Sequence, residues 1–158
     1  LKNTINEIKK DYDYVLIDCP PSLGMLSINA LAASNEVLIP VQAQYLPAKG
    51  MTKLMETIKR VQQQINRDLK ITGVAMTMAQ QNTNIAKSTI EFIRENYGRH
   101  IKVFDSVIPY GVKSSESQLQ GASLYAISNN SKVAKAYAGL SKEVVKQHKP
   151  KVKNIHER

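Results

Sequence analysis

Short apolar runs alternate with amphipathic stretches along this chain, and this alternation restricts the possible folds more than any other feature. Four runs have the composition of buried β-strands, over 14–17, 37–41, about 71–76 and about 103–108. In the intervening stretches, apolar residues recur at the i, i+3, i+4 spacing of a helix that buries one face. The pattern predicts an α/β domain of three layers (αβα), with a mainly parallel sheet and right-handed crossovers.

The helices can be placed from caps and periodicity. A short helix is expected up to about Lys10, since Thr4 and Glu7 have capping-box spacing. Asn84 is expected to cap a later helix that Gly98 ends. A serine-rich segment follows Gly111, and a loop is expected between it and the last helix. The other predicted helices, with the residues expected to face the core, are Met25–Ala33, a long helix from Pro47 (Met51, Leu54, Met55, Ile58, Val61, Ile65), the helix after Asn84 (Ile85, Ile93, Tyr97) and about Ser131–Gln147 (Val133, Tyr137, Leu140, Val144).

Composition excludes several classes of protein. With 158 residues and 42% apolar content, the chain fits a single domain. No run approaches the roughly 18 apolar residues of a membrane span, and the start lacks the apolar middle of a secretory signal. The single cysteine, Cys19, cannot form an internal disulfide and is expected to be a small buried hydrophobe. The chain is therefore expected to be cytoplasmic.

The charge balance favours a polyanionic partner. The chain has 22 Lys and Arg against 13 Asp and Glu, a net charge of +9. Such an excess attracts nucleic acid without regard to sequence. Part of it lies in the basic tail at 148–158, for which no regular structure is expected, so that the folded domain covers 1–147. A solvated tail and a DNA contact both fit its composition. His100, His148 and His156 are expected at the surface with no partner acid.

Asp18 ends the first apolar run, and the "CPPSLG" turn follows it. In parallel α/β sheets, ligands gather at the carboxyl ends of strands. An Asp at such a strand end commonly holds Mg²⁺ against nucleotide phosphates. A simple capping role in the turn at 19–22 is the alternative.

Four segments give the chain a family resemblance. The stretches "DYDYVLIDCPPSLGMLSINALAASNEVLIPVQAQY", "ITGVAMTMAQQNTNIAKST", "VIPYGVKSSES" and "SKVAKAYAGLSKEV" occur in this order and cover nearly the whole chain. They resemble the Walker B region and the following parts of the ParA/Soj chromosome and plasmid partitioning ATPases, which share a superfamily with MinD. The resemblance implies a P-loop NTPase-like fold.

The resemblance also implies site residues. Asp18 would be the Walker B acid, which organises Mg²⁺ through water, and the turn through Pro20 and Pro21 to Gly24 would be a switch that follows the γ-phosphate. An adenine pocket would be lined by Thr77, Met78, Pro109, Tyr110, Gly111 and Val112. Ordinary packing at strand ends is the alternative for Met78 and Pro109.

One family segment is missing from the sequence. Family members begin with a strand and a phosphate loop of the form K-G-G-x-x-K-T, but none of the seven glycines here lies in a Gly-Gly pair or precedes Lys-Thr. We therefore expect the C-terminal portion of a longer ATPase, which alone is inactive and holds neither ATP nor Mg²⁺ tightly. The missing strand would leave a slot between the Asp18 strand and the Val37 strand, which direct pairing or another chain must fill.

The family resemblance implies homodimerisation with ATP, non-specific DNA binding and a centromere-binding, ParB-like partner. Lys113, Lys132, Lys135, Lys142 and Lys146 are the candidate DNA contacts, and Arg94, Arg99 and Lys102 form a second basic group. Many relatives have Arg where this chain has Asn82 and Tyr110, which removes two phosphate contacts. Since the tail has few large apolar residues and a break at Pro150, no membrane binding is expected. A nucleoid-associated location would follow.

Three functions fit these observations. The first is ATP-driven DNA partitioning, of which this chain is the C-terminal part. The second is a non-enzymatic module without a phosphate loop that binds DNA or a partition partner. The third is a related ATPase that acts in cell-division positioning or regulation.

Overall fold

A computed structural model describes residues 1–80 and 82–148, without the side chains of residues 46–49. The chain forms, in order, α1 (Lys2–Ile8) with a 3₁₀ turn (Lys9–Asp11), α2 (Met25–Ala33), β1 (Glu36–Gln42), α3 (Tyr45–Gln64), β2 (Lys70–Thr77), α4 (Asn84–Tyr97), α5 (Val112–Leu119), α6 (Leu124–Ser128) and α7 (Lys132–His148).

β2 is the central strand of the described structure. On one edge it pairs in parallel with β1, from Glu36 opposite Lys70 to Gln42 opposite Thr77. On its other edge the backbone of residues 102–110 runs alongside, with isolated parallel bridges at Val103 and Pro109. The predicted fourth strand, 103–108, is therefore wrong as a regular strand. The amides of Phe104 and Ile108 donate to β2, but the amide of Ser106 between them donates to Glu143 of α7, as does the amide of Asp105.

Helices cover both faces of the sheet, and the predicted three-layer α/β class is confirmed. On one face, β-strand residues such as Ile39 and Met76 pack with Ile58 of α3 and Ile93 of α4. On the opposite face, Ala75 packs in a second buried cluster with Phe104, Ile108, Val133 and Leu140. Because both faces of β2 are covered, four consecutive residues, 73–76, are buried.

The predicted helices have counterparts in the structure, with local corrections. α2 has the predicted bounds, and α3 and α7 match their predictions within a few residues. Thr4 lies inside α1, so the predicted capping box is wrong, and the hydroxyl of Thr83 caps α4 in place of Asn84 by accepting from the amide of Ala86. Three residues predicted to face the core are instead exposed, namely Ile65, Ile85 and Tyr137.

The predicted first strand, 14–17, is wrong: the segment has no regular structure and is largely exposed. Leu16 is 92% exposed, and Tyr14 and Val15 are also exposed. Within the described residues, no backbone hydrogen bond joins 12–20 to β1 or β2. A strand needs a neighbour to satisfy its amides and carbonyls, and this one has none.

The second strand is covered on one face only. Ile39 and Val41 of β1 are buried, but Leu38 on the other face is 40% exposed. The prediction of a buried strand is therefore confirmed for one face of β1 and wrong for the other. The slot predicted between the first two strands has not closed by direct pairing, so one edge and part of one face of β1 have no cover among the described residues.

The serine-rich segment after Gly111 forms α5, and the stretch after it, which was predicted to be a loop, contains the short helix α6. α5 ends at a turn in which Gly121 has a positive φ of 60°. The hydroxyl of Ser123 then caps α6 by accepting from the amide of Ala126. Ser123 acts as a cap here, a role that its helix propensity alone does not reveal.

We predict that Gly73→Ala lowers the free energy of unfolding by about 1–3 kcal/mol. A Cβ at Gly73 would lie 2.7 Å from the backbone oxygen of Lys102 and 2.8 Å from the ring of Phe104, both fixed in the core of the sheet. Urea unfolding measures the effect. Gly50→Ala in α3 is the matched control, because a Cβ there meets nothing within 4 Å and should be neutral or stabilising. Equal stability of the two variants would contradict this packing.

Candidate functional site

Three chain segments meet at the carboxyl ends of the strands. The amide of Ala43, just after β1, donates to the carbonyl of Thr77 at 3.0 Å. The amide of Ala79 donates to the carbonyl of Ile108, and the amide of Tyr110 donates back to Ala79, both also at 3.0 Å. The structure thus brings together the two loops that contain the predicted adenine-pocket residues. Their contact with nucleotide stays a prediction.

Met78 has an unusual backbone at this edge. Its φ is +50°, whereas the other residues with positive φ in the described structure are glycines. A left-handed conformation costs a non-glycine residue about 1–2 kcal/mol. Met78 is 44% exposed and lies where the two loops meet. Strain of this kind concentrates at binding sites, where the surrounding structure holds it in place.

The second loop is held against the first turn of α7. A Cβ at Gly111 would lie 2.5 Å from Cγ2 of Val133, so only glycine allows this approach. α5 begins at the next residue, Val112, which is exposed. The predicted residues Pro109 to Val112 therefore form a turn between β2, α5 and α7.

Glu143 of α7 fixes the backbone that leads into this turn. Its two carboxylate oxygens accept from the amides of Asp105 at 2.9 Å and Ser106 at 2.8 Å. Burial acts to raise the pKa of Glu143, but hydrogen bonds from Ser106 and Asp105 and the charge of Lys102 outweigh burial and lower that pKa. Glu143 is thus a positioning residue for the loop, and sequence reasoning missed it. The sequence did contain one signal for it, because Glu143 lies close to the inward-facing Leu140 and Val144 on the predicted helix.

Asp18 lies at the end of the exposed segment 12–18 and is itself exposed. The turn after it is tied to α2, since the hydroxyl of Ser27 donates to the carbonyl of Ser22 at 2.5 Å. Pro20 and Pro21 lie in this exposed turn. Cys19 is also exposed, so the prediction of a buried cysteine is wrong. Cys19 is exposed because nothing in the described structure covers this segment.

The residues present fit only part of a Mg·ATP site. The Asp18 carboxylate has the oxygen donors that Mg²⁺ and its waters prefer. The described residues contain no group of three or more His, Cys, Asp and Glu that could hold a metal ion by themselves. The sequence also contains no glycine-rich phosphate loop. The described residues therefore supply one carboxylate oxygen ligand for magnesium, at Asp18, and the sequence supplies no phosphate loop for the triphosphate.

The predicted DNA-contacting lysines lie along two helices. Lys132, Lys135, Lys142 and Lys146 are all exposed on α7 and form no ion pair with the described residues. The last three of these lysines fall within a narrow arc at 100° per residue, opposite the buried Leu140. Lys113 on α5 instead pairs with Glu116 at 2.7 Å. In the second basic group, Arg94, Arg99 and Lys102 are likewise exposed.

His148, predicted to be a surface histidine with no partner acid, has one. Its Nε2 lies 2.8 Å from a carboxylate oxygen of Glu36, and the ring of Tyr14 meets it edge-on with centroids 5.8 Å apart. The hydrogen bond to Glu36 is the main cause that raises the pKa of His148. The two residues are separated by 112 positions. No local sequence signal could have paired them.

Comparisons with known proteins agree with this fold. A family model described as an AAA domain matches residues 1–71. The chain is 42% identical over 144 residues to the sporulation initiation inhibitor protein Soj of Bacillus subtilis, covering 91% of this chain and 56% of Soj. It is 41% identical over 145 residues to the chromosome-partitioning ATPase Soj of Treponema pallidum, covering 92% and 56%. The chain thus spans about half the length of these relatives.

A solved structure has a similar fold. It is cobyrinic acid a,c-diamide synthase from Mycobacterium smegmatis with bound ADP and magnesium, with a TM-score of 0.76 and 29% identity over 94% of this chain and 52% of that one. Among the described residues, no helix has both the length and the apolar character needed to cross a membrane.

We predict that Glu143→Gln lowers the free energy of unfolding by on the order of 1 kcal/mol at about pH 7, because a neutral amide accepts less strongly than a carboxylate. Since the pKa of Glu143 is lowered on folding, its contribution is present above about pH 4.3 and is lost as pH falls through the folded-state value. Urea unfolding at about pH 7 and about pH 3 measures this.

The control for this prediction is Glu95→Gln, an exposed position on α4. It should change stability little at either pH. An effect of Glu143→Gln that is as large at the acid pH as at the neutral one would contradict a role for the carboxylate charge.

Proposed function

We propose, because this chain belongs to the ParA/Soj family of partitioning ATPases, that it is the carboxyl-terminal portion of an ATPase that segregates plasmid or chromosomal DNA. The intact protein dimerises with ATP, binds DNA non-specifically and is cytoplasmic and associated with the nucleoid. A centromere-binding, ParB-like protein is its partner. Asp18 holds Mg²⁺ through water, and bound Mg·ATP supplies the phosphoanhydride bond that is cleaved.

One observation carries this proposal: the segment that ends at Asp18 is exposed, and among the described residues β1 is paired on one edge only. Tyr14, Val15 and Leu16 are apolar and solvent-exposed, and Leu38 of β1 is half-exposed. Large apolar residues beside unpaired backbone favour a further strand. A strand followed by a phosphate loop fits this place, since it would cover the apolar residues and bring phosphate donors to Asp18.

In this proposal, the base site is formed by the two loops that meet at the carboxyl ends of the strands. Thr77, Met78 and residues 109–112 surround the adenine, and Glu143 holds the second loop through the amides of residues 105 and 106. The strained backbone of Met78 supports a binding role there. In this chain alone the base would have a surface to contact, while the phosphates would have no cradle.

We expect that the missing half restores nucleotide binding. The part of B. subtilis Soj that precedes its match to this chain, which the family resemblance implies carries the phosphate loop, is expressed fused to Leu1. Binding of a fluorescent ATP analogue with Mg²⁺ is then titrated for the fusion and for the chain alone. The fusion should bind and the chain alone should not, because most phosphate donors are on the added half.

Asp18→Asn in the fusion is the matched variant, and it should weaken the Mg²⁺ dependence of binding while leaving metal-free binding unchanged. A correctly folded fusion that binds no nucleotide would contradict the proposal. That result would favour the alternative of a non-enzymatic binding module.

We also expect that α7 contacts DNA. Lys135→Gln, Lys142→Gln and Lys146→Gln together should reduce the slope of log affinity against log salt by up to about 0.9 for each lysine that neutralises a phosphate. Fluorescence anisotropy of a labelled duplex over a salt series measures the slope.

A triple variant with the same change of charge, Lys53→Gln, Lys59→Gln and Lys87→Gln on α3 and α4, is the control. These lysines are exposed and lie outside the α7 arc. The control should keep most of the salt dependence. An equal loss of slope in both triple variants would mean that only net charge matters and would remove α7 as the interface.

A further inference from the structure

His148, at the end of α7, joins parts of the chain that are far apart in sequence. Its Nε2 lies 2.8 Å from a carboxylate oxygen of Glu36, the first residue of β1. The same oxygen accepts from the hydroxyl of Thr72 in β2 at 2.7 Å. The ring of Tyr14 meets the imidazole edge-on. We call this set of contacts the α7 latch, and none of the functions assigned above uses it.

Both ring nitrogens of His148 face acceptors. Nδ1 lies 2.8 Å from the backbone carbonyl of Val144, one turn earlier in α7, while Nε2 faces Glu36. Neither a carbonyl nor an ionised carboxylate can donate to a ring nitrogen, so both contacts are hydrogen bonds only when both nitrogens carry a proton. The neutral ring has a single N–H and must lose one of the two bonds. The geometry therefore selects the charged imidazolium.

The immediate neighbours of His148 favour this charge. The hydrogen bond to Glu36 is the largest cause that raises the pKa of His148, and the bond to the carbonyl of Val144 is the next. Burial acts to raise the pKa of Glu36, but hydrogen bonds from Thr72 and His148 outweigh burial and lower that pKa, so the acid stays ionised. The position also favours a cation, because the carboxyl end of a helix carries a partial negative charge.

Other groups near the latch act against the charge. They are basic and can repel an imidazolium, namely Lys70 of β2, His100 and Lys102 after α4, and Lys146 of α7. Burial of His148 also acts to lower its pKa. These opposing effects are smaller than the bond to Glu36, since the pKa of His148 is raised overall. Tyr14 presents an uncharged aromatic ring to the imidazole, in the edge-on geometry that aromatic pairs favour.

We propose that protonation of His148 closes the α7 latch, which then fixes the end of α7 to the start of β1 and holds Tyr14, and that loss of the proton opens it. Tyr14 belongs to the segment that ends at Asp18, which has no backbone hydrogen bond to β1 or β2 in the described structure. The latch thus makes the placement of this segment and of the last turn of α7 depend on pH. The inference goes beyond the proposed function and requires neither nucleotide nor DNA.

The pH range of the closed latch follows from its two titrating groups. The pKa of His148 is raised on folding, so its stabilisation is fully present below the ordinary value of 6.5 and is lost as pH rises through the folded-state value. The pKa of Glu36 is lowered on folding, so its stabilisation is present above the ordinary value of 4.5 and is lost as pH falls through the folded-state value. The latch is therefore closed in mildly acidic solution and opens as pH rises.

The test follows the latch by NMR in the whole chain, over a titration from about pH 5 to about pH 8. It records the ring resonances of His148 and Tyr14, and the protection of the amides of residues 145–148 against exchange, corrected for the intrinsic pH dependence of exchange. Glu36→Gln removes the charge of the acid and keeps its size. Glu95→Gln on α4 makes the same change of charge elsewhere, and His148→Gln removes the titrating ring. All three positions lie at the surface, so the core is left intact.

We expect His148 to titrate above about pH 6.5. At the same midpoint the Tyr14 ring resonances should shift and the protection of residues 145–148 should fall several-fold. Glu36→Gln should lower the midpoint, Glu95→Gln should leave it unchanged, and His148→Gln should show the weaker protection at every pH. A His148 midpoint at the ordinary value that Glu36→Gln does not move would overturn the proposal. So would Tyr14 resonances and α7 amides that do not follow the His148 midpoint, or pH-dependent protection that persists in His148→Gln.

Discussion

The pairing of β2 on both of its edges is the interaction on which the rest of the structure depends. β1 satisfies one edge, and residues 102–110 satisfy most of the other. With its backbone paired and its faces covered by α3 and α4 on one side and α7 on the other, β2 is buried over its central residues 73–76. The carboxyl end of this strand then fixes where the two loops of the candidate site meet.

The requirement for a paired backbone also explains why the predicted strand at 14–17 does not form. β1 has one partner in the described structure, and the segment that ends at Asp18 has none. An apolar sequence cannot form a strand without a neighbour, however strong its β propensity. The exposure of Leu16 and the openness of the site around Asp18 therefore have one cause, since no described residue pairs with this segment.

Sequence patterns predicted the helices and strands that are determined by residues close together in the chain. The bounds of α2 and the buried stripe of α3 follow from periodicity, and β2 follows from its continuous apolar run. The errors lie where a distant partner decides the outcome. The strand at 14–17 does not form because no described residue pairs with it, and the strand at 103–108 is interrupted at Ser106, whose amide donates to Glu143 and not to β2. The family resemblance identified the loops that meet at the site, but the clamp from Glu143 and the contact of His148 with Glu36 join residues far apart in sequence.

The central claim is that a strand from a phosphate-loop half completes this sheet beside β1, and hydrogen exchange tests it most directly. Amide exchange in residues 14–17 and 37–41 would be measured for the chain alone and for its fusion to the preceding half of B. subtilis Soj. Completion of the sheet predicts fast exchange at 14–17 in the chain alone and strong protection of both segments in the fusion. Equal exchange rates in the two proteins, with the fusion folded, would contradict it.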